Sequence, residues 1–137
     1  RSWGIVERYR CDGAHTVLVT MGSMCGTARD AVDAMRDEGI AVGLVKVRLF
    51  RPFPVAALRA ALAGVAEVIV LDRNYSPGCG GVLHQELRSA LYGMADAPTI
   101  RGLLAGVGGV NVPPERIREF VRNAASYDSG PESVWVS

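Results

Sequence analysis

The stretch Gly22-Ser23-Met24-Cys25-Gly26-Thr27-Ala28-Arg29-Asp30-Ala31-Val32-Asp33 decides the fold of this chain. It follows Thr16–Met21, a β-rich run with almost no charge, which is typical of a strand buried on both faces of a parallel sheet. A strand that runs into Gly-Ser-x-x-Gly-Thr and then a helix is the opening half of a βαβ unit, with Thr27 placed to cap the helix. We therefore predict a helix from about Thr27 to Glu38, ended by Gly39.

The same alternation continues to the end of the chain. The predicted strands are Ala41–Val47, Glu67–Leu71 and Thr99–Leu104. One predicted helix begins at Pro54, has the apolar stripe Val55, Leu58 and Leu62, and is closed by Gly64. A second follows the Pro77–Gly81 loop and ends near Gly93, and a third begins at Pro113–Glu115. Strands and helices joined by short connections favour a parallel sheet covered on both faces. Ile5–Tyr9 is expected to add an edge strand, and the short turn after it favours an antiparallel one.

Length and composition indicate one globular domain. The 137 residues carry 15 basic and 14 acidic side chains, a balance that does not suggest nucleic-acid binding. No apolar run approaches the roughly 20 residues that cross a bilayer, and no leader precedes the first strand, so we expect no membrane contact and a cytoplasmic location. We expect residues 1–125 to form the domain and 126–137 a polar tail, within a longer polypeptide.

The residues that bind metals or act in catalysis elsewhere form no evident constellation here. Cys11, Cys25 and Cys79 have long, irregular spacings, so we predict plain thiols and no metal site. His15 and His84 are predicted to be ordinary surface or capping histidines. No catalytic residue is predicted.

One loop is a candidate anion site. Ser23, Gly26 and Thr27 would combine hydroxyl groups, backbone N–H groups and the positive end of a helix dipole. The alternative is that Thr27 only caps the helix, because the loop lacks the lysine of a P-loop and the spacing of a dinucleotide fingerprint.

Two further loops follow strand ends at the same edge of the predicted sheet. Asp72 resembles the functional acid of some α/β domains, but a structural role, paired with an arginine or capping a turn, is favoured. After the second strand come the candidate interface residues Arg48, Phe50, Arg51 and Phe53, of types enriched at interface hot spots. Packing of the two phenylalanines in the core is an equal alternative.

An ordered series of motifs gives a family resemblance. Gly22–Asp33, Gly43–Arg48 leading to Phe50–Pro54, and Leu71–Asn74 with Ser76–Gly78 are similar to domain II, the transketolase-C-terminal-like domain, of pyruvate:ferredoxin and related 2-oxoacid:ferredoxin oxidoreductases. The match covers roughly Val17–Val121. It implies a three-layer α/β/α fold of the transketolase C-terminal type, with a five-stranded, mostly parallel sheet and an antiparallel first edge strand. The chain has Gly108–Asn111 where the family commonly has Gly-Gly-Arg-Asp.

The resemblance also implies a parent enzyme, with this segment in its alpha subunit. Such enzymes contain thiamine diphosphate, Mg²⁺ and [4Fe-4S] clusters, and they oxidatively decarboxylate a 2-oxo acid, here pyruvate first, with coenzyme A to acyl-CoA, CO2 and reduced ferredoxin. The segment is expected to bind none of these cofactors and to be inactive alone. It is expected to assemble with the beta, gamma and delta subunits or with other domains, and to interact with ferredoxin only as part of the complex. The alternatives are a free-standing flavodoxin-like anion- or nucleotide-binding module, or the equivalent domain of another thiamine diphosphate enzyme.

Overall fold

The architecture is that of a computed structural model, which describes residues 6–21, 24–48, 54–72, 75–76, 80–104, 112–127 and 134–135. The strands are β1 (Val6–Tyr9), β2 (Thr16–Thr20), β3 (Val42–Val47), β4 (Glu67–Asp72), β5 (Tyr75–Ser76), β6 (Gly80–Gly81), β7 (Thr99–Leu104) and β8 (Val134–Trp135). The α-helices are α1 (Met24–Asp37), α2 (Val55–Ala61), α3 (Val82–Leu91) and α4 (Pro114–Arg122).

One mixed sheet forms the centre of the domain, in the order β1-β3-β2-β4-β7-β8. β1 is the antiparallel edge strand and pairs Val6 with Val47, whereas β3, β2, β4 and β7 run parallel. The predicted five-stranded sheet with its antiparallel first strand is therefore confirmed. The tail adds β8, a short parallel strand beside Leu103–Leu104 that was not predicted.

Helices cover both faces of the sheet and give it three layers. On one face, α2 and α3 pack Leu58, Leu62 and Leu87 against the valines of β2, β3 and β4. On the other face, α1 and α4 pack Met35 and Phe120 against alternate residues of the same strands. The central residues of β2, β3 and β4 are buried on both faces, which explains why those strands are mainly apolar.

The predicted helix ends are largely correct. Gly39, Gly64 and Gly93 follow α1, α2 and α3 with φ values of 84°, 81° and 82°, the left-handed conformation expected of a glycine after a helix. The prediction that Val55 belongs to the buried stripe of α2 is wrong. Val55 is 41% exposed, because it opens a helix of only seven residues, whose contact with the sheet is made by Leu58, Ala61 and the following Leu62.

The amino edge of the sheet is fastened by side chains that cross three strands. Glu67, at the start of β4, accepts a hydrogen bond of 2.9 Å from the Thr16 hydroxyl of β2 and an ion pair from Arg101 of β7. The Arg101 Nε donates to the carbonyl oxygen of Tyr127 at 3.2 Å, so the chain after α4 is tied to this edge. The side chains of Thr16, Glu67 and Arg101 therefore stabilise this edge of the sheet.

A second arginine joins α1 to the turn after β1 and to the start of β3 at the same edge. The Arg36 guanidinium donates to the carbonyl oxygens of Val42, Arg10 and Asp12 at 2.8, 2.6 and 3.0 Å. Arg10 has a positive φ of 53°, unusual for a residue with a side chain, in the turn that Arg36 holds. Arg36 thus provides hydrogen-bond donors for three backbone carbonyl groups at this edge.

We expect Arg36→Ala to lower the free energy of unfolding by about 2 kcal/mol, since it removes charge-assisted hydrogen bonds to three carbonyl groups. Arg36→Lys should recover less than half of this loss, because a single ammonium lacks the planar fork of donors. Urea unfolding measures both variants. Arg122→Ala, which removes an exposed cation from the end of α4, is the control and should change the free energy of unfolding by less than about 0.5 kcal/mol. An equal loss of stability in Arg36→Ala and Arg122→Ala would contradict the role of Arg36 in binding the three carbonyl groups.

Candidate functional site

The parallel strands β2, β3, β4 and β7 end together at one edge of the sheet, where α/β proteins of this kind bind ligands. The described part of this edge contains Met21, the first turn of α1, Arg48, Asp72 and the start of α3. β5 and β6 form a small antiparallel hairpin within the loop that was predicted between β4 and α3.

The candidate anion loop is divided by the start of α1. The helix begins at Met24, so Gly26 and Thr27 lie inside its first turn, and the prediction that Thr27 caps the helix is wrong. The buried stripe of α1 extends back from Ala28 to Met24, which is 3% exposed, and its burial favours a helix that starts earlier. Gly26 is exposed and Thr27 half-buried, while Ser23 lies outside the described residues. Anion binding there stays a prediction.

Cys25 lies in the same first turn and is half-buried. Burial raises the pKa of its thiol, and this outweighs the opposing effect of Lys46 and Arg48 nearby. The thiol is therefore protonated at neutral pH and is not an activated nucleophile.

The two cations close to Cys25 are held by one acid. Glu7 of β1 lies 3.1 Å from the guanidinium of Arg48 and 3.8 Å from the ammonium of Lys46. Arg48 remains 57% exposed, which leaves room for a partner at this end of β3. The other candidate interface residues, Phe50, Arg51 and Phe53, lie outside the described residues.

Asp72 has a structural role at the carboxyl end of β4. Its carboxylate is 4% exposed and accepts hydrogen bonds from the backbone N–H groups of Leu83 and His84 at 3.1 and 2.8 Å. It therefore caps the start of α3, which agrees with the predicted structural role. The neighbouring Arg73 lies outside the described residues. Burial raises the pKa of Asp72 to about 6, and the two backbone hydrogen bonds only partly oppose this.

His84 contradicts its prediction as a surface or capping histidine, because its side chain is fully buried. Its ring lies against Gly102 of β7 so closely that a Cβ built there would be 2.1 Å from Nδ1. Burial lowers the pKa of His84 to about 4, with a smaller contribution from Arg88, so the ring is neutral at pH 7. Two sequence signals were available: His84 precedes Leu87 and Leu91 at helical spacing, and Gly102 interrupts a strand.

Within the described part of the chain, no group of three or more His, Cys, Asp or Glu side chains could hold a metal ion. Cys11 is buried, and its thiol donates a hydrogen bond of 3.3 Å to the carbonyl oxygen of Leu44. Across the described ranges, no helix is both long and apolar enough to span a membrane.

The chain is similar in sequence to one domain of a family of oxidoreductases. The model of the family "Pyruvate:ferredoxin oxidoreductase core domain II" matches residues 14–117. The pyruvate synthase subunit PorA of Methanothermobacter thermautotrophicus is 42% identical over 122 residues, which cover 89% of this chain and 31% of that protein. The ketoisovalerate oxidoreductase subunit VorA of Pyrococcus furiosus is 40% identical, covering 96% of this chain and 34% of that protein. The chain thus spans about a third of the length of these relatives.

Solved structures give the same fold. A 2-oxoglutarate:ferredoxin oxidoreductase from Magnetococcus marinus, with 2-oxoglutarate, coenzyme A and succinyl-CoA bound, matches with a TM-score of 0.65 at 26% identity, over 86% of this chain and 19% of that one. A split-gene transketolase matches with a TM-score of 0.68 at 18% identity, over 90% of this chain and 42% of that one, a likeness of fold alone. The predicted three-layer fold of the transketolase type is confirmed.

Proposed function

The chain belongs to the pyruvate:ferredoxin oxidoreductase core domain II family, and from this membership we propose that it is a non-catalytic assembly domain of a 2-oxoacid:ferredoxin oxidoreductase. The family match over residues 14–117 is the observation that carries the proposal. The described side chains support it, since those with the most perturbed pKa values, Asp72 and His84, are buried in packing and capping roles. The chain on its own is then expected to be inactive.

The parent enzyme is proposed to cleave the carboxylate carbon of a 2-oxo acid as CO2 and to join the remaining acyl group to the sulfur of coenzyme A. The two electrons released reduce ferredoxin. Pyruvate is the first substrate to test, although PorA and VorA, named for different substrates, are almost equally similar to the chain. Selectivity is proposed to depend on pockets outside this segment.

Thiamine diphosphate, Mg²⁺ and [4Fe-4S] clusters are proposed to be bound by other parts of the parent enzyme. The described residues do not fit these groups, because they offer no cluster of metal ligands. Of the two cysteines among the described residues, Cys11 is buried, and Cys25, in the first turn of α1, has a raised thiol pKa. The chain is proposed to act in the cytoplasm by contacts with other domains or with the beta, gamma and delta subunits.

The assembly role predicts that Arg51→Ala combined with Phe53→Ala weakens association of the parent subunits at least tenfold while the domain stays folded. These residue types contribute most to interface affinity, and in the sequence they follow Arg48, which is 57% exposed. Sedimentation velocity of the purified subunits measures the association, and circular dichroism checks the fold. Arg122→Ala is the control for loss of one surface cation. Normal association of the double variant would contradict the role of this loop, and an unfolded domain would assign the two residues to the core.

A further inference from the structure

The helix α2 differs from the other helices in its exposed side chains. Val55 is 41% exposed, and apart from Arg59 the exposed positions that follow it are small and apolar, namely Ala56, Ala60 and Ala63. In contrast, the exposed positions of α1 include Arg29, Asp30 and Asp37. A surface helix normally presents charged residues to water, so the outer surface of α2 has the composition of a covered one.

The single charged residue of α2 does not serve its outer surface. Arg59 donates from Nε to the carbonyl oxygen of Ala90 at 2.7 Å and from a terminal nitrogen to that of Tyr92 at 2.9 Å. Both acceptors belong to the last turn of α3 and the residue after it, where a cation also complements the helix dipole. The guanidinium is therefore directed along the domain surface and leaves the alanines of α2 without a charged neighbour of their own helix.

A groove runs beside this helix, between α2 and the edge strand β1. It has a volume of about 240 Å³ and is lined by Val6, Arg8, Ala57, Ala60 and Ala61. β1 pairs only with β3 within the sheet, so its other edge has no strand partner among the described residues. An open strand edge beside an apolar helix is a combination that folded proteins usually cover.

We infer that this surface, which we call the α2 face (Val6, Val55, Ala56, Ala57, Ala60 and Ala63), is the docking surface for the remainder of the same subunit, through an apolar segment that fills the groove and places a carboxylate near Arg8. The inference rests on the proposed function. The related subunits are about three times as long as the matched region, so most of each polypeptide lies outside it. That polypeptide is always present with the domain, and permanent contacts are more apolar than exchangeable ones.

Charge also favours a segment of this kind. Among the described residues that line the groove, Arg8 is the charged one, and an acidic side chain on the partner would complement it. The alanines allow close approach of larger side chains, so the partner is expected to present residues such as leucine, methionine or phenylalanine.

Cysteine labelling distinguishes the possible occupants. Ala60→Cys introduces a thiol on the α2 face, and Ala34→Cys introduces one at an exposed alanine of α1, among charged neighbours, as the matched control. Maleimide modification of each position is followed by peptide mass spectrometry, which separates it from the native cysteines. In the isolated 137-residue chain we expect similar rates at both positions. In the full-length parent subunit without its partners we expect at least a tenfold slower reaction at Ala60→Cys and no change at Ala34→Cys.

Three results would overturn the inference. Equal labelling of both positions in the subunit and in the complete complex would mean that nothing docks on the α2 face. Slowing only after the other subunits are added would assign the face to a different chain. Slow labelling in the isolated chain would mean that its own residues or a second copy cover the face. A complex that lacks 2-oxoacid oxidation would contradict the proposed function and leave the labelling result unaffected, so the two failures can be told apart.

Discussion

Gly102→Ala is expected to lower the free energy of unfolding by about 3 kcal/mol, because the added methyl group overlaps a buried ring. A Cβ at this position would lie 2.1 Å from Nδ1, 2.2 Å from Cγ and 2.6 Å from Cε1 of His84. The overlap includes the ring atom closest to the backbone, so a small rotation of the side chain cannot relieve it. His84 is fully buried, and its helix α3 is fixed at its start by Asp72. Chemical denaturation of the isolated chain measures the loss.

A double-mutant cycle tests whether the overlap with His84 is the cause. His84→Ala removes the ring and should cost about 2 kcal/mol alone, but combined with Gly102→Ala the total loss should be smaller than the sum by at least about 1 kcal/mol. Gly26→Ala is the control, since Gly26 lies within α1 and no atom of the described residues is within 4 Å of its potential Cβ, and the change should stabilise the protein by about 0.5–1 kcal/mol. A fully additive cycle would contradict the proposed contact.

The second large effect concerns pH, where Asp72 and His84 act in opposite directions. The Asp72 pKa is raised to about 6 by burial, so its contribution to stability is complete in acid and is lost as pH rises towards 6. The His84 pKa is lowered to about 4 by burial, so its contribution is complete above about pH 6.5 and is lost as pH falls towards 4. Each effect amounts to about 3 kcal/mol, and in the native protein they largely cancel between pH 4 and 6.5.

Replacing either residue should therefore reveal the pH dependence of stability that the other residue causes. Asp72→Asn is expected to lose about 3 kcal/mol of stability between pH 6.5 and pH 4, relative to the native chain over the same interval. His84→Gln should show the reverse slope, becoming more stable as the pH falls through 6. Urea unfolding at half-unit steps of pH gives both slopes, and comparing slopes removes any constant effect of the substitution on packing or capping. Parallel profiles for the native chain and both variants would contradict the assignment of these two groups.

Much of the fold could be predicted because local signals agreed with one another. The apolar runs that became β2, β3, β4 and β7 are each bounded by a turn or a helix signal, and the glycines after α1, α2 and α3 mark where those helices end. The short turn after β1 also predicted its antiparallel direction correctly. These features depend on residues close together in the sequence, where periodicity and glycine preference act.

The errors occurred where a distant contact overrides the local pattern. Thr27 has the chemistry of a capping residue, but burial of Met24 places the start of α1 earlier. His84 is buried because Gly102, eighteen positions later, leaves space for its ring. The two-residue β8 has no pattern of its own and exists by pairing with β7. Of the candidate site, Gly26, Thr27 and Arg48 can be placed, whereas Ser23, Phe50, Arg51 and Phe53 lie outside the described residues.

The proposal that this domain is part of a 2-oxoacid:ferredoxin oxidoreductase is tested directly on the native parent complex, captured through the domain. Coenzyme A-dependent reduction of a viologen dye is measured with a panel of 2-oxo acids, together with the iron and thiamine diphosphate content of the complex. We expect the complex to oxidise at least one 2-oxo acid and to contain iron and thiamine diphosphate, and we expect the isolated 137-residue chain to be inactive. A captured complex without iron, thiamine diphosphate or 2-oxoacid oxidation would contradict it.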